Sequence, residues 1–148
     1  MPYKPFSDEQ LQEMDAQFGA IHVYTPAPRP VSRWAKASDA APEPAFQLVF
    51  RACLGNEWDN IMGQANDAKQ KARAPKNLAM ATIVGVSVDG VHTVHMPGAP
   101  ASDPVARKAP RDALAALMAR PGNAGIGEAV SDALAELNGV VGDATEKG

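Results

Sequence analysis

The chain has 148 residues, which suits one domain and leaves little room for a second. Hydrophobic residues make up 45% of the chain but aromatic residues only 5%, so we expect a thin, helical core. The formal net charge of −3 gives no electrostatic reason to expect nucleic acid or an anionic membrane as a partner. The single cysteine, Cys53, excludes an internal disulfide framework.

The first residues are not typical of a signal peptide, because acidic residues rather than an apolar run follow Phe6. The longest apolar run, residues 80–88, is interrupted by polar residues and is too short to span a bilayer. Both observations predict a cytoplasmic location.

Residues 7–18 have the pattern of a first helix. Ser7 is a favourable N-cap, Gln10 completes a capping box, and Gly19 is a natural end. The predicted apolar face consists of Leu11, Met14 and Phe18. Residues 21–24 then alternate apolar and polar side chains, which predicts an edge strand.

Residues 25–45 contain five prolines among alanine, serine and charged residues. A regular helix or strand ladder does not tolerate this density of proline, so we predict an extended connector or arm. Trp34 lies within it. This tryptophan either folds back to fill the core of its own chain or anchors another subunit, because a large aromatic side chain is an efficient binding residue.

Residues 45–51 form the clearest strand pattern in the chain. Phe46, Leu48 and Phe50 are predicted to point to one face of it, and the intervening side chains to the other face. Asn56 then has the position of an N-cap for a long helix that contains Trp58.

Pro75 is expected to end or kink that long helix and to start the next one, which continues to about Val84. Residues 86–94 predict a hairpin, since Asp-Gly between β-branched residues is a strong turn signal. A loop is predicted over 97–110, with Pro110 opening a helix, and a last helix is predicted over 123–138.

These elements predict an α+β fold that is mainly helical. It has about four to five helices, one or two short strands or a hairpin, and Pro-rich extended arms. The predicted organisation is an N-terminal helix and edge strand in 1–24, a Pro-rich connector or arm in 25–45, a strand plus helical domain in 46–142, and a loose tail in 143–148.

Few residues have a sequence pattern that indicates catalysis or metal binding. His92 and His95 are three residues apart, but on the predicted strand they would point to opposite faces, which favours surface or loop histidines over a metal site. Cys53 has no surrounding nucleophile motif and is interpreted as a small apolar residue. The glycine-rich stretch 122–127 follows a helix and lacks the lysine of a phosphate loop, so turn glycines explain it better.

The order of segments carries a resemblance to a known family. The strand 48–51 is followed by a helix that opens with Asn56-Glu57-Trp58, and a Leu-rich helix over 113–122 ends in Arg-Pro-Gly. The final helix, 129–139, ends in Leu-Asn-Gly. This pattern resembles a family of small morphogenesis proteins from tailed bacteriophages and prophages, over about residues 45–142 and more weakly over 7–24.

The resemblance implies a tail-assembly-chaperone-like or virion-associated protein that carries no catalytic motif. We therefore expect a protein that is not an enzyme, that uses no cofactor and no metal, and that acts by protein–protein binding. The chain departs from the family pattern in the greater length of 25–45 and of 86–110. Extended arms are common in virion proteins, so this departure favours a structural protein of the particle over a transient chaperone.

The expected function is thus bacteriophage virion assembly, as a structural or accessory protein of the head or tail. The residues expected to bind protein are Trp34, Phe46, Phe50 and Trp58. The expected partners are phage head or tail proteins and further copies of the chain as an oligomer, without membrane or nucleic acid. The expected location is the host cytoplasm during assembly and, for a structural protein, the virion. The alternatives are a tail assembly chaperone absent from the mature virion, and an early host-directed regulator or inhibitor.

Overall fold

A computed structural model describes residues 4–26, 46–120 and 125–137, which form an α+β fold that confirms the predicted class. The greater part of the predicted arm 25–45 and all of the predicted tail 143–148 lie outside the described residues. The elements in chain order are α1 (Asp8–Phe18), β1 (Ile21–Tyr24), β2 (Phe46–Arg51), a π-helical turn (Asp59–Gly63), α2 (Ala68–Thr82), β3 (Ile83–Val88), β4 (Val91–Val94), α3 (Pro104–Met118) and α4 (Ile126–Leu137).

The strands form one antiparallel sheet of four strands in the order β1-β2-β3-β4. The sequence predicted one or two strands or a hairpin, so the sheet is larger than expected. Tyr24 lies opposite Leu48, and Phe46 lies opposite Val88. Because β1 pairs with β2, the N-terminal strand belongs to the same sheet as the strands of the predicted second unit.

Helices cover both faces of the sheet. On one face, α2, α3 and α4 cover the main core, to which Phe46, Leu48 and Phe50 of β2 contribute. On the other face, α1 covers a smaller core that contains Val49. The predicted alternation of side chains along β2 is therefore confirmed, and all six residues of this strand are buried because both of its faces are covered.

The N-terminal helix forms as its local signals predict. The Ser7 hydroxyl accepts a hydrogen bond from the Gln10 amide nitrogen at 3.1 Å, and the Ser7 amide donates to the Gln10 side chain at 2.8 Å. Gly19 ends the helix with a φ of 84°. Phe6 and Met14 are buried against the sheet, so this capped helix is fixed by its apolar face.

The predicted hairpin is confirmed. Asp89 and Gly90 have φ angles of 54° and 79°, as a two-residue turn of type I′ requires. The first strand starts earlier than expected, at Ile83, and its register with β2 shifts by one residue between Val49 and Phe50. This bulge leaves Val84 as an extra residue in β3, on the same side of the sheet as α1.

The long helix predicted from Asn56 is wrong. A π-helical turn follows Trp58, and a new helix starts at Ala68 behind the N-cap Asp67, whose carboxylate accepts from the Gln70 amide at 2.7 Å. Before the π-helical turn, the Glu57 carboxylate accepts hydrogen bonds from Arg51 and from the Leu54 amide, at the turn formed by residues 54–57.

Two predictions about prolines are also wrong, because Pro75 does not end a helix and Pro110 does not open one. Pro75 lies inside α2, which continues to Thr82, and Pro110 lies inside α3. An interior proline removes one helical hydrogen bond, but both helices bury apolar faces in the main core, and this packing outweighs the loss. α3 starts instead at Pro104, in the first helical position behind the N-cap Asp103.

The predicted last helix forms as α4, in which Ile126, Val130 and Leu134 are buried in the main core. α4 packs closely on α2: a Cβ atom on Gly127 would lie 3.1 Å from the Lys76 backbone nitrogen. Gly127 therefore allows the two backbones to approach to a distance that a side chain would prevent.

Candidate protein-binding surface

The described residues expected to bind protein lie in or against the core. Phe46 is 4% exposed and Phe50 is 0% exposed, and both rings pack in the main core. Trp58 is partly buried against the same core, and Trp34 lies outside the described residues. In this conformation the two phenylalanines support the sheet and are not accessible to a partner, so their role in binding stays a prediction.

A buried ion pair joins the end of β2 to the following loop. The Arg51 side chain is 1% exposed and donates to both carboxylate oxygens of Glu57, at 2.7 and 3.1 Å. It also donates to the carbonyl oxygens of Ala52 and Ala81, each at 3.0 Å. These four hydrogen bonds occupy both terminal nitrogens of Arg51, so the pair holds the end of β2 against the following loop and the end of α2.

The ion pair contributes to the pKa shifts of Glu57 itself and of the nearby Arg107. Burial alone would raise the pKa of Glu57, but hydrogen bonds from Arg51 and the Leu54 amide outweigh it, so this pKa is lowered. The pKa of Arg107 is lowered by burial and then by the positive charge of Arg51. Glu57 thus acts electrostatically on both guanidinium groups, and Asp103 is a second negative charge that acts on Arg107.

Both histidines near β4 face α1. The His92 ring packs on Phe6, and the His95 ring makes an edge contact with Phe18. His95 is 3% exposed, and its Nε2 lies 3.1 Å from the Pro100 carbonyl oxygen, to which it can donate. The prediction that these histidines point to opposite faces is wrong, because His95 follows the end of β4 and lies opposite the bulge residue Val84.

The described part of the chain offers little for metal or membrane chemistry. In residues 4–26, 46–120 and 125–137 there is no group of three histidine, cysteine or carboxylate side chains that could hold a metal ion. No helix among them has the length and apolarity needed to cross a membrane. Cys53 packs partly buried against the main core, in agreement with its interpretation as a small apolar residue.

The outer edge of β4 is the feature that fits protein binding. Val88 and Val91 flank the two-residue turn and form the first hydrogen-bonded pair of the hairpin, and the His95 amide donates to Val84 at 2.8 Å. Pairing alternates along the ladder, so the backbone N–H and C=O groups of His92 and Val94 point away from β3. Among the described residues, no backbone group pairs with them.

Exposed apolar side chains accompany this edge. Val91, Met96 and Val105 are 55%, 55% and 73% exposed, and Val94 is 36% exposed. Val105 lies close to Met96 in space, because the Met96 amide donates to the carbonyl oxygen of the next residue in α3, Ala106, at 3.2 Å. We refer to the outward backbone of His92 and Val94, with these four side chains, as the β4 edge surface.

Within the part of the chain that the structure describes, the β4 edge surface lacks the features that usually protect a sheet edge. Residues 91–96 include no lysine, no acidic residue and no proline. Natural edge strands are commonly blunted by such residues or by a covering segment, and an unblunted edge can accept a further strand. A groove of about 180 Å³ between α1 and the end of β4 lies beside it, which is smaller than most small-molecule sites.

Comparison with known proteins adds no relative: no family model, no curated protein and no solved structure matches the chain.

Proposed function

We propose that this chain is a bacteriophage morphogenesis protein that works by binding other proteins, and that the β4 edge surface is its principal binding site. The observation that carries the binding role is the uncharged backbone edge at His92 and Val94, which no other described residue pairs with, beside exposed apolar side chains. The bacteriophage context comes from the sequence resemblance. The expected partners are head or tail proteins that present an extended segment.

The physical basis for binding is the combination of two contributions. An extended segment added to β4 would satisfy outward backbone groups that water satisfies in the isolated chain. The same segment would cover exposed apolar area on both sides of the strand, since Val91 projects toward the face with α3 and Val94 toward the face with α1. Backbone pairing supplies register and the apolar contacts supply affinity.

The experiment is affinity purification of the tagged full chain from cells that express it in its native context. We would compare the wild type with Val94→Lys, which places a charge on the edge. Ala116→Lys, which adds the same charge at an exposed position of α3, is the matched control. We expect a stoichiometric phage head or tail protein with the wild type and with the control, and its loss with Val94→Lys.

Mass spectrometry of purified mature particles then separates the two forms of the proposal. A structural protein is present in near-stoichiometric amount, whereas an assembly chaperone is absent. Recovery of a host regulatory protein in place of a phage protein, in particular early in infection, would contradict the morphogenesis role. Equal recovery with Val94→Lys would contradict the proposed site.

A further inference from the structure

We infer that two copies of this chain pair through β4, in antiparallel orientation about a twofold axis at Thr93. The inference rests on the proposal that the β4 edge surface binds protein, and it names a second copy of the chain as the occupant of this edge in the purified protein. An extended segment of a phage protein would bind by replacing that copy. Such a pair would join two four-stranded sheets into one continuous sheet of eight strands.

The register follows from the direction of the backbone groups. His92 and Val94 present their N–H and C=O outward, and both side chains lie on the face with α1. A twofold axis normal to the sheet at Thr93 places His92 of each copy opposite Val94 of the other. Each of these two pairs exchanges two hydrogen bonds, so all the outward groups of both residues are satisfied, while Thr93 faces its own copy in a non-hydrogen-bonded pair.

The side chains of the strand suit a twofold axis. A charged residue near such an axis would face its own copy, and β4 contains none. In this register Val94 packs beside the partner's His92, and Met96 lies opposite the Asp89–Gly90 turn of the partner. Exposed apolar atoms at both ends of the strand are thereby covered.

The other end of the sheet is a weaker candidate. The Ala20 carbonyl oxygen accepts a hydrogen bond from the Ala52 amide at 3.1 Å, so Ala20 points its backbone groups toward β2. Because pairing alternates along the ladder, the backbone groups of Ile21 and Val23 point outward from β1. All four β1 side chains are partly buried, however, and α4 contacts this strand. The edge with the greater exposed apolar area is β4, and the inference is therefore specific to that edge.

Disulfide trapping in the purified full chain gives the sharpest test. In a Cys53→Ala background, Thr93→Cys places two thiols at the axis, where the Cα separation of a non-hydrogen-bonded pair, about 4.5 Å, allows a disulfide. The matched control is Val91→Cys, on the same strand and the same face. Its two copies would lie ~13 Å apart along the strands, too far for a disulfide.

We expect mild oxidation to give a covalent dimer with Thr93→Cys and little or none with Val91→Cys, although position 91 is well exposed. Val94→Pro removes an outward N–H while leaving the ladder to β3 intact, so the sheet should be retained. Because this change removes two of the four hydrogen bonds, sedimentation should show dimerisation weakened roughly 10- to 100-fold.

Equal trapping at positions 91 and 93 would indicate random collision and would overturn the inference. So would a folded, monomeric wild type at every concentration tested, or trapping of His22→Cys at the centre of the β1 edge in place of Thr93→Cys. Any of these results leaves the capture of a phage protein by the β4 edge surface to be decided separately by the affinity purification.

Discussion

The buried pair of Arg51 and Glu57 should control the stability of the fold, and Glu57→Gln tests this directly. The substitution keeps the shape of the side chain but removes its charge. Arg51, whose side chain is 1% exposed, would then remain buried beside Arg107 without a counter-charge.

The size of the effect follows from the burial of the two partners. Removing one partner of a buried pair costs about 3–5 kcal/mol, and the Glu57 side chain is 19% exposed, so we expect a loss near the lower limit. A loss of about 3 kcal/mol is a large part of the 5–15 kcal/mol that typically stabilises a domain, and it is easily measured.

The measurement is urea unfolding at neutral pH, followed by far-UV circular dichroism and by tryptophan fluorescence. Arg51→Met and the double variant Arg51→Met/Glu57→Gln complete a cycle, in which the double variant should lose less than the sum of the single losses. Asp112→Asn is the matched control, because its pair with Lys108 is 2.6 Å long but well exposed, and it should leave the urea midpoint nearly unchanged.

Acid should remove the difference between wild type and Glu57→Gln. The pKa of Glu57 in the folded chain is below its ordinary value of 4.5, so the pair contributes its full stability above that value and loses it as the pH falls through the folded pKa. A loss of less than about 0.5 kcal/mol at neutral pH, or an additive double variant, would refute the reasoning.

Three further predictions concern local features. Gly127→Ala should cost about 1–3 kcal/mol in urea unfolding, because its Cβ would meet backbone of α2; an unchanged midpoint would show that α4 can shift freely. Ser7→Ala should cost about 1 kcal/mol through loss of the capping box, and Ser7→Asp, which can still cap, should retain stability. Burial lowers the pKa of His22 below its ordinary value of 6.5, and the negative charge of Glu136 opposes this with a smaller effect. The free energy of unfolding should therefore rise with pH between the folded pKa of His22 and 6.5. His22→Gln should reduce the corresponding rise in melting temperature.

The sequence predicts those elements whose signals are local. The capping box at Ser7 and the Asp89–Gly90 turn each need only a few adjacent residues, and the structure forms both. The alternation along β2 likewise identifies which of its side chains face each core.

The sequence fails where distant residues decide the result. Pro75 and Pro110 are tolerated inside helices because those helices are buried against the core, which depends on the complete fold.

The candidate site illustrates the same limit. The hairpin and its uncharged strand are visible in the sequence, but the unpaired edge of β4 depends on β2 pairing with β1 and with β3. Phe46 and Phe50 are expected from the sequence to bind protein. The structure places both side chains in the core.

The bulge in β3 makes this strand sensitive to length as well as to composition. Ile83 and Val86 contribute to the main core, whereas Val84 contributes to the core under α1. Three residues of one short strand segment therefore pack on opposite faces of the sheet. A one-residue deletion at Val84 would therefore restore regular pairing and at the same time shift the contacts of α1 with the sheet. Insertions and deletions here should be far less tolerated than conservative substitutions, which leave each side chain in its own layer.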